Sequence, residues 1–194
     1  MDAIIEQIVQ ESIAVKKKAI ELQKAVLADA AARLADCLTA GHKLLLFGNG
    51  GSAADCQHIA AEFVNRFRIE RRPLGAIALT TDTSALTAIG NDYHFDEIFE
   101  KQIRALGREG DIAWGISTSG NSPNVLRGME AAKEIGLFTL GMTGAGGKLT
   151  DAVDLVLRVD SDVTARVQET HITMAHILCE LVDRILFPDA FDGK

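Results

Sequence analysis

Five short apolar segments recur along this chain with helix-like stretches between them, and this alternation limits the fold more than any other feature. The segments cover residues 43–47, 76–80, 111–116, 137–142 and 155–159. Each has the length of a buried strand, and most end in a cluster of Gly, Ser, Thr or Asn. Strands that alternate with helices form βαβ units. The sequence therefore predicts an α/β fold, a three-layer sandwich around a five-stranded, mostly parallel sheet.

Long helical patterns flank these segments. Apolar residues recur at helical spacing between residues 2 and 40, which predicts one long helix followed by a second, shorter one. Residues 163–186 carry a similar pattern and predict a long C-terminal helix. Together these helices present more apolar surface than one small sheet can cover. We therefore expect residues 1–194 to form a single domain in which residues 1–41 are a helical extension that packs in an oligomer.

The charge balance and the cysteines restrict the class of function. With 27 acidic and 20 basic residues the net charge is -7, which argues against binding to nucleic acid or to an anionic membrane. A small anionic ligand remains compatible, because a phosphate needs only a local pocket of donors. No apolar run is long enough to span a bilayer, and no signal peptide is visible. Three cysteines without a CxxC pair suit a reducing compartment, so we expect a cytoplasmic protein.

The loop after the first predicted strand reads Gly-Asn-Gly-Gly-Ser-Ala at residues 48–53 and precedes a helix. Glycines allow the backbone to approach a ligand, and a helix N-terminus directs free N–H groups at an anion. The spacing fits neither a dinucleotide-binding GxGxxG motif nor a Walker A loop. On the glycines alone, an anion site and a tight βα turn are equally good interpretations.

The loop after the third predicted strand is rich in hydroxyl groups. Residues 117–123 read Ser-Thr-Ser-Gly-Asn-Ser-Pro, and Ser122 before Pro123 is typical of a helix N-cap. One hydroxyl is expected to cap the helix, but a cap does not require four. This loop is therefore favoured as a phosphate site. A third loop at residues 143–147 is better interpreted as a plain glycine turn.

Candidate acid–base residues lie on the helix that follows the first loop. His58 and Glu62 are one helical turn apart, which is a suitable spacing for two metal ligands or for a general base beside an orienting His. The alternative is a surface His–Glu pair, which would be preferred on an arbitrary helix. The neighbouring anion site favours function here. On the last helix, Gln168 and His176 share one face, but their spacing alone does not make them catalytic.

In this order, the motifs resemble the phosphoheptose isomerase family of the sugar-isomerase (SIS) domain superfamily. The matching residues are 48–53, 57–58, 62, 88–92, 117–122, 166–169 and 176. The resemblance implies the SIS fold and the conversion of sedoheptulose 7-phosphate to D-glycero-D-manno-heptose 7-phosphate. This is the first step of ADP-heptose synthesis for the lipopolysaccharide core. Family members are cytoplasmic homotetramers that share sites between subunits.

The resemblance also assigns roles to individual residues. Glu62 and His176 match the acid–base pair that moves a proton through an ene-diol(ate). The implied substrate-binding residues are Asn49, Gly50, Gly51, Glu62, Asn91, Asp92, Ser117, Thr118, Ser119, Ser122 and Gln168, with the four hydroxyl residues around the phosphate. The implied zinc ligands, for one zinc per subunit, are His58, Glu62, Gln168 and His176.

Two other functions fit the same motifs. A non-enzymatic SIS protein that binds the replication initiator DnaA shares the first loop, the serine-rich loop and the Arg-x-Gln region. Its positions equivalent to Glu62 and His176 lack an acid and a histidine, whereas this chain has both. A sugar-phosphate sensor that binds without turnover is the third possibility. An assay of sedoheptulose 7-phosphate turnover separates the isomerase from the other two.

Overall fold

The five predicted strands pair into one sheet in the computed structural model, which describes residues 1–191. The strand order is β2-β1-β3-β4-β5, and every neighbouring pair is parallel. The strands are β1 (Leu44–Gly48), β2 (Ala76–Ala78), β3 (Ile112–Ser117), β4 (Phe138–Thr143) and β5 (Leu155–Arg158). The predicted α/β class is confirmed, with a sheet that is parallel throughout rather than mostly parallel.

Helices cover both faces of the sheet. They are α1 (Asp2–Thr39), α2 (Gly51–Val64), α3 (Thr83–Asp92), α4 (Ile98–Leu106), α5 (Pro123–Glu134), α6 (Leu149–Ala152) and α7 (Thr164–Leu186). Because side chains alternate along a strand, Leu44 and Leu46 of β1 pack in the cluster formed with α1, α2 and α7. Leu45 and Phe47 pack in the opposite cluster, with α3 to α6. This arrangement is the predicted three-layer sandwich.

The N-terminal region forms one helix, α1, so the prediction of two helices is wrong. Residues 2–39 contain neither Gly nor Pro, the two residue types that most often end a helix. Leu27 and Leu34 are buried, whereas Ile4, Ile5 and Ile8 in the first turns are exposed. Within residues 1–191, no helix is long and apolar enough to cross a membrane.

The strand order directs two loops toward each other. From β1 the chain passes to α2 and the edge strand β2, and from the adjacent β3 it passes to α5 and β4 on the other side. The loops that follow β1 and β3 therefore flank a crevice at the carboxyl ends of the strands. In open parallel sheets such a reversal of strand order is where ligands bind.

Candidate active site

The loop after β1 contacts α5 on one side and α7 on the other. Gly50, the N-cap of α2, has a positive φ of 56°, which a residue with a side chain adopts only with strain. A Cβ on Gly51 would lie 2.6 Å from Gln168 Nε2, so the Gln168 amide packs directly against this glycine. On the other side, the Asn49 and Asn124 side chains exchange two hydrogen bonds of 2.8 and 2.9 Å. The loop is therefore held between α5 and α7.

The hydroxyl groups of the second loop face one another. Ser117 Oγ lies 2.9 Å from Ser122 Oγ and 3.4 Å from Ser119 Oγ. Ser122 occupies the predicted N-cap position of α5, but its side chain makes no capping hydrogen bond. The expectation that a hydroxyl caps this helix is wrong, because the Ser122 hydroxyl pairs with Ser117. The cluster therefore combines converging hydroxyls with the N-terminus of α5, as an anion site requires.

The third loop, residues 143–147, packs against the second loop, residues 117–123. The Gly144 N–H donates to the Thr118 carbonyl oxygen at 3.0 Å. Gly120 has a φ of 65°, and any Cβ there would collide with the Gly146 carbonyl oxygen. A cavity of about 350 Å³ lies between these loops and the start of α7, lined by Thr118, Ser119, Ala145, Gly146, Gly147, Ser161, Asp162, Thr164 and Val167. Two predicted phosphate-loop residues, Thr118 and Ser119, thus line a cavity large enough for a small ligand.

His58, Glu62 and His176 form a compact group, here named the His–Glu–His cluster. Glu62 Oε1 lies 3.0 Å from His58 Nε2, and His176 Nε2 lies 3.4 Å from the same His58 atom. The group forms within one chain because α7 packs against α2. A second histidine from α7 thus joins the predicted His58–Glu62 pair.

The surroundings of His176 keep its imidazole neutral. Burial lowers the pKa of His176, and the neighbouring His58 lowers it further, while Glu62 acts in the opposite direction. The Phe67 ring packs on the imidazole with a distance of 5.2 Å between ring centroids. A neutral imidazole is able to accept a proton or to coordinate a metal ion.

The His–Glu–His cluster has the donor set of a metal site. One ligand atom from each residue lies within 4.8 Å of the other two. Two imidazole nitrogens and a carboxylate oxygen are ligands that suit zinc. These three residues therefore fit the implied metal, while the fourth implied ligand, Gln168, contacts Gly51 through its amide.

Within residues 1–191, no side-chain hydrogen bond joins Asn91 or Asp92 to the His–Glu–His cluster or to the loops after β1 and β3. They end α3, are exposed, and are joined to each other by a hydrogen bond of 2.8 Å. Their role as substrate-binding residues stays a prediction.

Two residues that contact the site were missed from the sequence. Asn124 orients Asn49, and Arg71 binds the backbone of Glu62 through an Nη2 hydrogen bond of 2.8 Å. For Asn124 the available signal is its position in the first turn of the helix after the serine-rich loop. For Arg71 the sequence offers no local signal, because its partners are backbone carbonyls and a residue 112 positions away.

The sheet, the crevice and the serine-rich loop together define an α/β domain with a candidate anion site at the carboxyl ends of its strands. The family model described as "SIS domain" matches residues 7–144. The chain is 64% identical over 160 residues to the phosphoheptose isomerase of Nitratidesulfovibrio vulgaris, covering 82% of this chain and 77% of that protein. It is 57% identical to the phosphoheptose isomerase of Roseiflexus sp., covering 93% and 92%.

Solved structures agree with these relatives. The phosphoheptose isomerase GmhA of Neisseria gonorrhoeae superposes with a TM-score of 0.89 at 46% identity, covering 94% of this chain and 98% of that one. The phosphoheptose isomerase of Francisella tularensis gives a TM-score of 0.90 at 40% identity, covering 94% and 97%. The chain belongs to the phosphoheptose isomerase family of SIS-domain proteins.

Proposed function

We propose that this protein is an aldose–ketose isomerase that converts sedoheptulose 7-phosphate to D-glycero-D-manno-heptose 7-phosphate. The observation that carries the proposal is the His–Glu–His cluster, which brings a carboxylate and two imidazoles together on α2, the helix that starts at the first loop, and on α7, whose Gln168 packs against Gly51. A binding protein or a sensor needs the phosphate loop but has no use for an acid–base pair. The membership in the phosphoheptose isomerase family supports the same conclusion.

The reaction moves a carbonyl group from C2 to C1 of the sugar. Glu62 removes a proton from C1 of the ketose while the C2 carbonyl oxygen gains a proton, which gives the ene-diol. Return of a proton to C2 and loss of the O1 proton then yield the aldehyde. Glu62 serves the carbon atoms and His176 serves the oxygens, because a neutral imidazole both donates and accepts through its two nitrogens.

The substrate is held at both ends. Ser117, Thr118, Ser119 and Ser122 bind the phosphate at the N-terminus of α5, where the helix dipole favours an anion. The sugar is bound by Asn49, Gly50, Gly51, Asn91, Asp92 and Gln168. Fixing the phosphate end places C1 and C2 at a constant distance from the acid–base pair.

The metal in this proposal is zinc, held by His58, Glu62, Gln168 and His176. When bound, zinc acts as a Lewis acid toward a sugar oxygen. Glu62 belongs both to this ligand set and to the acid–base pair, so removal of the metal tests which role it performs.

The wider assignments follow from the same family. We propose a single SIS domain over residues 1–194, of which residues 192–194 lie outside the described part, that assembles as a cytoplasmic homotetramer without nucleic-acid or membrane partners. The exposed isoleucines of α1, in the extension at residues 1–41, support assembly because they offer apolar surface for a second subunit.

Turnover of sedoheptulose 7-phosphate by the purified protein, followed by separation of the two heptose phosphates, tests the function. Parallel samples are treated with chelator and then resupplied with zinc, and bound metal is measured by elemental analysis. Activity that falls with chelator and returns with zinc is expected. Absence of turnover in the zinc-loaded protein would contradict the proposed reaction, and full activity in metal-free protein would remove zinc from it.

A further inference from the structure

Arg71 lies in the irregular segment after α2, with only 2% of its side chain exposed. Its guanidinium makes hydrogen bonds in two directions. Nε donates to Asp183 Oδ1 of α7 at 2.9 Å, and Nη2 donates to the Glu62 carbonyl oxygen of α2 at 2.8 Å. One rigid, planar group therefore joins the two helices that carry the His–Glu–His cluster.

Arg71 donates hydrogen bonds to several carbonyl groups at the end of α2, one of which also accepts from the Leu74 N–H. A helix leaves its final carbonyls without partners inside the helix, and the last turn of α2 has no basic residue of its own. Arg71 Nη1 donates to the Phe63 carbonyl oxygen at 2.8 Å and to the Asn65 carbonyl oxygen at 3.1 Å. The positive guanidinium also complements the negative end of the helix dipole. Because Glu62 belongs to this turn, the position of its side chain depends on the position of the turn.

Arg68 provides a matched comparison three residues earlier. It donates to Glu180 Oε2 of α7 at 2.7 Å, so it connects the same two parts of the chain. Its side chain is 61% exposed, and within residues 1–191 it makes no hydrogen bond to a carbonyl of α2. An exposed ion pair of this kind contributes little to structure. Both arginines therefore bind a carboxylate of α7, but only Arg71 also binds the backbone of α2.

We propose that Arg71 is a positioning residue that sets the distance between Glu62 and His176 by binding the Glu62 backbone and Asp183 at the same time. The inference rests on the proposed function only in assigning Glu62 and His176 to the reaction. A misplacement of about 1 Å costs on the order of 10²-fold in rate. Loss of a group that orients metal ligands costs about 10- to 100-fold in metal affinity.

The test is Arg71→Lys, with Arg68→Lys as the control. Lysine keeps the charge, but its single ammonium group does not reproduce the fork that binds Asp183 and four backbone carbonyl groups together. We expect Arg71→Lys to lower kcat by about 10- to 100-fold with KM nearly unchanged. We also expect zinc to be lost to a competing chelator at a concentration about tenfold lower. Arg68→Lys should leave both quantities at the wild-type values. All measurements are made below the melting transition of each variant.

A nuclear magnetic resonance spectrum of the histidine rings in metal-free protein gives an independent readout. The chain has five histidines. In Arg71→Lys the resonances of His58 and His176 should shift, because their mutual geometry changes, while those of the exposed His94 stay in place. If wild type has no heptose phosphate turnover, the proposed function fails, yet this spectrum still decides the role of Arg71.

The opposite results are equally clear. A lower melting temperature with unchanged kcat, zinc competition and histidine resonances would make Arg71 a purely structural residue and overturn the proposal. If Arg71→Lys does not fold, Asp183→Asn replaces it, since the amide oxygen still accepts from Arg71 but the charge is gone. For Asp183→Asn we expect changes in kcat, zinc competition and the histidine resonances that have the same direction but a smaller size. Wild-type values for this folded variant would also overturn the proposal.

Discussion

The side-chain amides of Asn49 and Asn124 exchange two hydrogen bonds and thereby join the loop after β1 to the first turn of α5. Asn124 is buried, with 1% of its surface exposed, whereas Asn49 is partly exposed at the crevice. Each amide uses one donor and one acceptor in this pair. The second N–H and the second lone pair of Asn49 are therefore presented in a fixed direction.

Asn124→Asp should raise KM for the heptose phosphate by on the order of tenfold. The carboxylate keeps the size of the amide but has no N–H to donate to Asn49 Oδ1, so Asn49 is no longer held in one orientation. Steady-state kinetics check this result. The Asn49→Ala and Asn124→Ala variants and their double variant provide the control, because a coupled pair gives non-additive effects. Additive effects with an unchanged KM in Asn124→Asp would contradict the interpretation.

Glu62→Gln should abolish turnover while the fold is retained. The amide has nearly the same shape but accepts no proton from carbon, and loss of a general base costs about 10² to 10⁴ in rate. Turnover and circular dichroism are measured together. The control is Glu70→Gln, eight residues further on, whose side chain is 89% exposed. Near-wild-type turnover in Glu62→Gln would show that another group removes the proton.

His176→Ala should mainly reduce turnover, whereas His171→Ala should mainly reduce stability. His176 contacts His58 in the cluster, so its loss should remove turnover with little change in the free energy of unfolding. His171 is buried, and its Nε2 lies 3.1 Å from the Thr143 carbonyl oxygen, so its loss should mainly lower stability. Turnover and denaturant unfolding of both variants check the distinction. Equal losses of activity in two correctly folded variants would refute it.

The stability of the protein should fall on acidification because of His171. Burial lowers the pKa of His171 to about 4 from the ordinary value of 6.5. Between these values the unfolded chain takes up a proton that the folded chain does not, so the histidine contribution is present above pH 6.5 and is lost as the pH falls toward 4. At pH 5 this loss amounts to roughly 2 kcal/mol.

Urea unfolding at pH 7.5 and pH 5, for wild type and for His171→Gln, measures this contribution. The variant lacks the titrating group, and the carboxylates contribute equally to both proteins, so the difference between the two pH dependences isolates His171. Identical pH dependences would show that burial does not lower the pKa of His171 in the folded protein.

Ser119→Ala combined with Ser122→Ala should raise KM for the sugar phosphate and leave the melting temperature nearly unchanged. The side chain of Ser122 makes no capping hydrogen bond, so no cap is lost. Inorganic phosphate should raise the melting temperature of wild type more than that of the variant, because a ligand stabilises only the state that binds it. An unchanged KM with a lower melting temperature would return these hydroxyls to a structural role.

Local features of the sequence predict much of this structure. The strands were predicted correctly because each depends on a contiguous run of residues with one dominant physical property, whereas the phosphate-binding role of the serine-rich loop stays a prediction. The grouping of His58 with Glu62 follows from helical spacing. His176 joins them only through the packing of α7 on α2, which spacing along one helix does not determine.

The residues missed from the sequence act over long separations. Arg71 binds Asp183 across 112 positions, and Asn124 binds Asn49 across 75. Neither long-range contact can be predicted from the neighbouring sequence. The prediction of two helices at the N-terminus fails for a different reason: residues 2–39 contain neither Gly nor Pro, so the backbone continues as a single helix.

Helix α1 is 38 residues long, which corresponds to about 57 Å, and its buried residues begin only at Ala19. The first four turns are held by the helix's own hydrogen bonds and by few contacts with α7, among them the hydrogen bonds from Ser12 to Glu169 and from Arg166 to the Ile8 carbonyl oxygen. In a single subunit their amide hydrogens should therefore exchange with solvent faster than those of the buried second half. A neighbouring subunit that covers Ile4, Ile5 and Ile8 would slow exchange there and leave the already buried second half unchanged. In the proposed oligomer, the gradient of exchange rates along this one helix, followed on dilution, would therefore report how far the subunits have separated.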